Sequence, residues 1–365
     1  MTEVWERITS FEALYKAGRE CRRNVMWKAS VAGYIANLPQ NTVRLMDELR
    51  TGTYKLSKYS IFYVHEKKLR QIVATRMRDR VVQRSICVNY LTEQVSKSFI
   101  YDNAACQKNK GTDFARERLE HHLRSHFNEF GRSGYVLKVD IKDYFGSTLH
   151  SVAKEAMRKR VSDPDVLAYV EMVIDSFDCI SPGKGIGLGS ELSQLIQLAV
   201  LDDLDHCIKQ KLKIKHYVRY MDDLILINES YDRLTDCLDV INDELSKLHL
   251  QINKKKTKIQ PIGNGIHFLG FSFRLNRNGT VTKSILHKRI GKQRRRMKKQ
   301  TGVLSYEKAV ECLKANIAHM EKGDCEYLIE KQISFFNSLR KEENICRKSL
   351  NRMKRSFSSK RKTKR

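Results

Sequence analysis

Apolar residues recur along this chain at two spacings, one typical of helices and the other typical of strands. Helical spacing covers most of residues 1–58 and returns in residues 81–91, 113–127 and 234–248. Strand-like runs of β-branched and large apolar residues occupy residues 59–64, 135–141, 217–227 and 268–275. Ser193 is expected to cap and open a further helix, with Leu195 and Leu198 among its apolar positions.

This order of strands and helices predicts an α+β fold, with a mixed or antiparallel sheet that carries helices on one face. The chain has only four prolines in 365 residues, and no repeat of fixed period is visible. We therefore expect subdomains built around one site, without a flexible linker before the C-terminal tail.

Positive charge dominates the composition, with a formal net charge of +27. An excess of this size opposes compaction, so a polyanionic partner is expected. No apolar run is long enough to span a bilayer and no signal peptide is visible, which favours nucleic acid over a membrane. Two segments concentrate the charge: residues 288–299, read as a basic helix along a nucleic-acid backbone, and residues 352–365, read as a disordered RNA-binding tail.

The nine cysteines form no C-x-x-C pair and number one too many for complete pairing. They are predicted to be mostly buried, free thiols in a reducing cytoplasm, rather than disulfide partners or zinc ligands.

Acidic residues stand out at the ends of two predicted strands. Asp222 and Asp223 interrupt the apolar run 217–227, and Asp140 closes the run 135–141. Adjacent carboxylates beside a core are explained if a divalent cation neutralises them, and oxygen ligands of this kind suit Mg²⁺. Two such ions, about 4 Å apart, are able to activate a hydroxyl and stabilise a departing pyrophosphate. The other acidic pair, Asp202 and Asp203, is expected to be a solvated loop.

Several motifs occur in the order found in reverse transcriptases. Residues 220–223 (YMDD) resemble the signature of that family, and residues 140–145 (DIKDYF) resemble its first catalytic-aspartate motif. The other matching segments are 68–70 and 79–83, 188–194 (LGSELSQ), 256–257 (KT) and 268–271 (FLGF). As an ordered set over roughly residues 60–280, the resemblance is specific.

The resemblance implies a right-hand polymerase that copies an RNA template into DNA from deoxynucleoside triphosphates with two Mg²⁺ ions. The implied segments are an N-terminal helical extension (1–58), fingers (59–134), palm (135–276), helical thumb (277–345) and a basic tail (346–365).

The resemblance also implies roles for individual residues. The metal ligands would be Asp140, Ile141, Asp222 and Asp223, with the three aspartates catalytic. Nucleotide contacts would come from Lys68, Arg70, Phe145, Gly189 and Gln194. Nucleic-acid contacts would come from Tyr220, Lys256, Phe268, Leu269, Gly270, Lys288, Arg294, Arg295 and Arg296. Plainer readings stay open: a solvated basic face for Lys68 and Arg70, a core aromatic for Phe145, and a hydrophobic hairpin for residues 268–271.

Two details resemble one branch of the family, the diversity-generating retroelement enzymes. An aliphatic residue, Leu188, precedes the glycine of residues 188–194, which end in Ser-Gln, and residues 105–112 (ACQKNKGT) also look like that branch. This implies error-prone copying of a structured template-repeat RNA in a bacterial cytoplasm, helped by a small basic accessory protein. The alternatives are a phage-defence or retron-like reverse transcriptase and a catalytically retired RNA-binding scaffold.

Overall fold

The computed structural model describes residues 1–65 and 69–339 of the chain. The α-helices are α1 Glu3–Ile8, α2 Phe11–Cys21, α3 Ala29–Ala36, α4 Leu38–Arg50, α5 Met77–Ile86, α6 Thr92–Ser96, α7 Thr112–Phe130, α8 Tyr144–Ser147, α9 His150–Arg158, α10 Pro164–Asp175, α11 Glu191–Val200, α12 Asp202–His206, α13 Tyr231–Lys247, α14 His287–Gln300, α15 Tyr306–Met320 and α16 Glu326–Leu339. None of these helices is both long and apolar enough to cross a membrane.

The strands form three sheets within the described residues. They are β1 Ser60–His65, β2 Leu69–Ala74, β3 Tyr135–Asp140, β4 His216–Tyr220, β5 Asp223–Asn228, β6 Lys258–Pro261, β7 Ile266–Phe268, β8 Phe271–Leu275 and β9 Val281–Ile285. The hairpin β1–β2, the four-stranded sheet β4-β5-β3-β6 and the three-stranded sheet β7-β8-β9 contain antiparallel pairs. The predicted α+β class with an antiparallel sheet is confirmed.

The chain divides into two compact units. The first comprises Met1–Leu119 and Tyr135–Ile259, and the second comprises Glu120–Gly134 and the chain from Gln260 onward. The finer division into extension, fingers, palm and thumb stays a prediction. The tail 346–365, the end of the expected thumb (340–345) and Lys68 lie outside the described residues.

Serine caps set where helix α11 begins. Ser190 has extended backbone angles, and its side chain accepts a hydrogen bond from the backbone N–H of Ser193, so the helix starts at Glu191. The prediction that Ser193 opens and caps this helix is therefore wrong. Ser193 is buried in the first turn, where its hydroxyl lies 2.8 Å from that of Ser190. The two serines stand three residues apart, so residue type alone did not identify the cap.

The acidic pair at the start of α12 is not a solvated loop. Asp202 is 1% exposed and lies 2.8 Å from the Arg160 guanidinium, which is also buried. Asp203 is exposed and lies 3.0 Å from the Lys159 ammonium group. The prediction is wrong for Asp202 because its partner comes from a segment about forty residues earlier, which the local pattern does not reveal.

The cysteine thiols are only partly as predicted. Burial is found at Cys87, Cys207, Cys237 and Cys325. By contrast, Cys106 and Cys179 are exposed. The expected cytoplasmic location stays a prediction.

The second unit has its own hydrophobic core. Helix α14 contributes Ile290 and Met297, seven residues and two turns apart, and α15 and α16 contribute residues such as Leu313 and Ile333. Apolar residues occupy so narrow a stripe of α14 that most of its basic side chains are left exposed.

A fully buried ion pair joins β4 to the helices of the first unit. The Arg219 Nε group donates to both carboxylate oxygens of Asp205, at 2.7 and 2.9 Å, and both side chains are 0% exposed. The Tyr217 hydroxyl donates to the same carboxylate at 2.6 Å, and Arg219 also donates to the Leu198 carbonyl at 3.3 Å. Each charge therefore has its hydrogen bonds satisfied, which a buried pair requires.

We expect Asp205→Asn to lower the free energy of unfolding of the first unit by about 3–5 kcal/mol, because it leaves the buried Arg219 charge uncompensated. Asp203→Asn is the matched control: it removes an exposed carboxylate two residues away and should cost about 1 kcal/mol or less. Urea unfolding followed by circular dichroism measures both. Equal losses would show that the buried pair is no more important than the exposed one.

Candidate active site

The strand ends predicted to carry the acidic residues are neighbours in the four-stranded sheet. In the antiparallel pair β3–β5, Asp140 lies opposite Asp223, and in β4–β5, Tyr220 also lies opposite Asp223. Asp222 lies in the short turn between β4 and β5, where its carbonyl accepts a 3.3 Å hydrogen bond from the Ile141 N–H. Sheet register thus brings Asp140 and the Asp222–Asp223 pair to one edge.

This arrangement puts like charges close together in a partly dry place. Burial raises the pKa of the Asp222 carboxyl above its usual range, and the neighbouring Asp140 carboxylate acts in the same direction. Burial also raises the pKa of the Asp223 carboxyl, although the Lys138 ammonium group opposes the shift. Like charges directly opposite each other across strands are unfavourable, so this edge favours positive charge.

Two lysines supply positive charge to these carboxylates. The Lys138 ammonium nitrogen lies 2.8 and 3.0 Å from the two carboxylate oxygens of Asp223. The Lys256 ammonium nitrogen lies 2.5 Å from one Asp140 oxygen, and the Asn253 amide donates to the other at 3.0 Å. Lys256 was predicted to contact nucleic acid, and in the structure its side chain contacts the Asp140 carboxylate.

The donors at this edge fit a divalent cation in chemistry and position. Carboxylate oxygens are the ligands that Mg²⁺ prefers, and the buried Asp223 Oδ1 accepts no hydrogen bond of normal geometry although Lys138 lies nearby. Within residues 1–65 and 69–339, however, no three His, Cys, Asp or Glu side chains are grouped so as to hold a metal. The ammonium groups stand where an ion would compete for the same oxygens. The Lys256 side chain is half exposed and long enough to move aside.

The turn between β4 and β5 has an unusual backbone. Met221 has φ +56°, a left-handed conformation that costs a non-glycine residue about 1–2 kcal/mol. The Arg219 guanidinium donates to the Met221 carbonyl at 3.2 Å and is itself anchored by Asp205. The buried pair therefore supports the conformation of the turn that carries Asp222. The sequence analysis missed both residues, although a lone arginine inside an apolar strand was a signal.

The loop after β3 positions Phe145. Asp143 has φ +45°, and a side chain at Gly146 would meet the exposed Asp143 carboxylate at 2.5 Å, so that carboxylate would have to move aside. The Phe145 carbonyl accepts from the Ile186 N–H at 2.7 Å, and its ring packs edge-on to Tyr144 at 5.9 Å. The ring is half-buried, and the expected contact with a nucleotide stays a prediction.

The glycine loop before α11 is attached to strand β2. The Val73 N–H donates to the Leu188 carbonyl at 2.9 Å, and a side chain at Gly189, where φ is +147°, would meet the Val73 carbonyl at 2.8 Å. The close approach that requires glycine here is thus to protein backbone. The same strand carries Arg70, which is exposed and whose charge acts on the Asp222 carboxyl.

Gln194 and Tyr220 both lie near Cys106. The Cys106 thiol donates to the Gln194 side-chain oxygen at 3.0 Å. Burial raises the pKa of the Tyr220 hydroxyl, and the nearby Cys106 thiol adds to this. Ala104, in the same segment, donates its N–H to the Arg219 carbonyl at 2.9 Å. The residue just before the segment 105–112 is therefore hydrogen-bonded to β4, the strand that leads into the acidic turn.

The hairpin β7–β8 in the second unit carries residues 268–271. Phe268 and Phe271 are cross-strand partners, and both rings are buried. The rings thus pack as the alternative of a hydrophobic hairpin expects, and the contact of residues 268–270 with nucleic acid stays a prediction. The turn residues Leu269 and Gly270 are partly exposed, and a side chain at Gly270 would meet the Arg289 guanidinium at 2.9 Å.

Helix α14 exposes Lys288, Arg295 and Arg296, but not all of its predicted contacts. The Arg294 Nε group donates to the Gln332 side chain at 2.8 Å, and its guanidinium lies over the Phe335 ring at 5.0 Å. Arg294 was predicted to contact nucleic acid, but it packs on α16. The reason is periodicity: it lies four residues after Ile290 and three before Met297, on the buried face.

Comparison with known proteins agrees with this geometry. The family model for "Reverse transcriptase (RNA-dependent DNA polymerase)" matches residues 57–273, a segment that includes the whole acidic cluster. Protein YkfC of Escherichia coli (strain K12) is 24% identical over 277 residues, which cover 62% of this chain and 69% of that protein.

Two solved structures resemble the chain more distantly. Telomerase from Candida albicans, in complex with a TWJ fragment of telomeric RNA, gives a TM-score of 0.48 at 11% identity over 84% of this chain. Apo telomerase from Candida tropicalis gives 0.45 at 13% identity over 67% of this chain. The chain spans 66% and 60% of the length of those two proteins, and at these scores neither likeness adds to the assignment. The match to the family model covers more than half of the sequence, and the chain therefore belongs to the reverse transcriptase family.

Proposed function

We propose that this protein is an RNA-directed DNA polymerase of a diversity-generating retroelement, which copies a structured template RNA into error-prone cDNA. The observation that carries the polymerase assignment is the register that sets Asp140 opposite Asp223, with Asp222 in the adjoining turn. These carboxylates lie within the segment that matches the family. Burial and the neighbouring carboxylates raise the pKa of Asp222 and Asp223, so the cluster is the kind of acidic site that a bound cation would stabilise.

Asp140, Asp222 and Asp223, with the Ile141 carbonyl, are the residues that we assign as ligands of two Mg²⁺ ions. When bound, such ions activate a primer hydroxyl and stabilise the charge of the departing pyrophosphate.

The other residues of the proposed site bind and orient the substrates. Arg70 is exposed and electrostatically coupled to Asp222, so it is placed to meet the triphosphate of an incoming nucleotide. Lys256 is able to exchange its contact with Asp140 for a phosphate of the primer strand. Arg219 holds the Met221 carbonyl and with it the turn that presents Asp222.

The subtype rests on a different set of residues. Leu188 at the position before Gly189, Gln194 at the end of the same motif and residues 105–112 follow the pattern of diversity-generating enzymes. A less exacting contact with the templating base at Leu188 and Gln194 is a physical route to misincorporation. The proposal includes a template-repeat RNA, a small basic accessory protein and a bacterial cytoplasm as the setting.

The basic face of α14 is the proposed contact for the nucleic-acid backbone. Lys288, Arg295 and Arg296 are exposed, and none of them forms an ion pair with a carboxylate in the described part of the chain. Concentrated, uncompensated charge on one helix is the feature that binds phosphates without regard to sequence.

Synthesis of cDNA tests the polymerase itself. Purified protein with its co-expressed flanking RNA, Mg²⁺ and four deoxynucleotides should yield cDNA, and Asp222→Asn or Asp223→Asn should reduce it at least ~100-fold. RNA binding, measured by filter retention, should survive both changes because it depends on basic residues elsewhere. Asp203→Asn is the control and should leave synthesis unchanged. Full synthesis in the Asp222 and Asp223 variants would favour the RNA-binding scaffold instead.

Sequencing of that cDNA tests the subtype. Substitutions concentrated opposite template adenines, and scarce opposite the other bases, are the expected result for a diversity-generating enzyme. Evenly faithful product would retain the polymerase and assign the chain to a retron-like or phage-defence type.

Salt dependence tests the basic helix. Replacing both Arg295 and Arg296 with serine should lower the slope of log affinity against log salt concentration by about 2, because about one counterion is released per phosphate contact. Lys308→Ser with Lys331→Ser removes the same charge from exposed positions on α15 and α16. Fluorescence anisotropy with an RNA–DNA duplex measures both pairs, and identical slopes would rule out a specific role for α14.

A further inference from the structure

A cavity of about 280 Å³ in the first unit has no part in the chemistry described above. Its walls come from the end of α2, from α5 and from the start of α11. The volume is slightly below the ~300 Å³ at which small-molecule pockets begin, so it suits a single planar ring system.

Two polar side chains in the cavity wall are buried without hydrogen-bond partners. Gln83 is 2% exposed, and both its amide oxygen and its amide nitrogen lack a partner. Thr75 is also buried, and its hydroxyl lacks a partner. An unsatisfied buried amide is destabilising, and such groups are rare unless a ligand or water completes them.

Some arginines of the cavity wall form ion pairs with carboxylates, and others do not within the described residues. Arg84 lies 2.9 Å from the Glu20 carboxylate and 2.7 Å from the Glu191 carboxylate, so its charge is balanced. Arg80 makes one long contact, 3.4 Å to the Thr75 carbonyl. Neither Arg80 nor Arg23 forms an ion pair with a carboxylate of the described residues. The wall therefore has guanidinium groups without a carboxylate partner among the described residues, together with an amide and a hydroxyl that lack hydrogen bonds.

The cavity adjoins the loop and strand of the proposed polymerase site. Its wall includes Gly189, which follows Leu188, whose carbonyl accepts a 2.9 Å hydrogen bond from the Val73 N–H of β2. Three residues earlier on that strand stands Arg70, whose charge reaches the Asp222 carboxyl. The loop and the strand beside the cavity therefore also carry residues of the proposed polymerase site.

We propose that this cavity binds one base of single-stranded template RNA, with the Gln83 amide and the Thr75 hydroxyl hydrogen-bonded to the base edge. Arg80 and Arg23 contact the phosphates of the same strand. A carboxamide presents a donor and an acceptor side by side, the pattern with which glutamine pairs with adenine. Unpaired bases held by hydrogen bonds to their edges are the usual targets of RNA recognition. That the strand is the template rests on the proposed function.

The test is the affinity of short single-stranded RNAs in which an abasic site is moved through every position. Wild-type protein should bind the RNA ~10-fold more weakly when the abasic site falls at the position that occupies the cavity. Gln83→Leu should abolish that difference, because it removes both hydrogen-bonding atoms at nearly constant volume. Gln40→Leu, on α4 outside the cavity, is the control and should preserve it.

Thermal melting separates recognition from folding. Gln83→Leu removes a buried unsatisfied amide, so the free protein should melt no lower than wild type. If Gln83→Leu keeps the same abasic profile as wild type, the proposal is wrong and the cavity holds water only. If a free deoxynucleotide displaces the RNA from this position, the cavity belongs to free nucleotides and the template assignment is overturned.

The abasic-site series uses neither Mg²⁺ nor deoxynucleotides, and the competition with a free deoxynucleotide is run without Mg²⁺, so neither outcome depends on synthesis. Loss of the proposed polymerase activity with a Gln83-dependent abasic profile would overturn the function and leave the base site standing. If the protein synthesises cDNA but Gln83→Leu leaves the abasic-site profile unchanged, the proposed function stands and the base site is overturned.

Discussion

Electrostatic repulsion among Asp140, Asp222 and Asp223 is the constraint on which the rest of the first unit depends. Register across β3 and β5 places two of these carboxylates directly opposite each other, and the β4–β5 turn adds the third. Burial raises the pKa of the Asp222 and Asp223 carboxyls, which means that the site opposes its own ionisation. A fold that keeps these groups together must hold them rigidly and must supply positive charge.

The rigidity comes from a second, better-satisfied charge pair deeper in the same unit. Arg219 is bound by Asp205 on α12 and in turn holds the Met221 carbonyl of the strained turn. The positive charge comes from Lys138, which is built into β3, and from the more exposed Lys256. The two lysines differ in mobility: one is fixed by the strand, and the other is able to leave its carboxylate when a stronger cation or a phosphate competes.

Strand β2 packs closely against the loop that precedes α11, and this contact involves glycine and buried polar groups. The Val73 N–H donates to the Leu188 carbonyl, which joins the loop before α11 to the strand that carries Arg70, and a side chain at Gly189 would collide with the Val73 carbonyl. Beside this loop, Gln83 lines a cavity, and its buried amide has no hydrogen-bond partner. Strain at Met221 and an unsatisfied amide at Gln83 are both unfavourable locally, and such features collect where a protein binds its substrates.

The sequence by itself determined the α+β class, most of the central strands and the chemistry of the acidic edge. These follow from local information: a β-branched run predicts a strand, and acidic residues at the ends of apolar runs predict a site at a sheet edge. The family motifs occur in a fixed order along the chain, so residues 57–273 were recognisable without coordinates. Helical periodicity, applied to α14 more strictly, would also have assigned Arg294 to the buried face.

Only the tertiary structure decided which polar residues are paired, and with what. Asp202 is buried because Arg160 reaches it, Ser190 caps α11 in place of Ser193, and Phe268 is buried against its cross-strand partner. The Arg219–Asp205 pair and the Gln83 cavity depend on contacts between elements far apart in sequence. Burial and pairing are properties of such contacts, and residue type and spacing along one chain do not contain them.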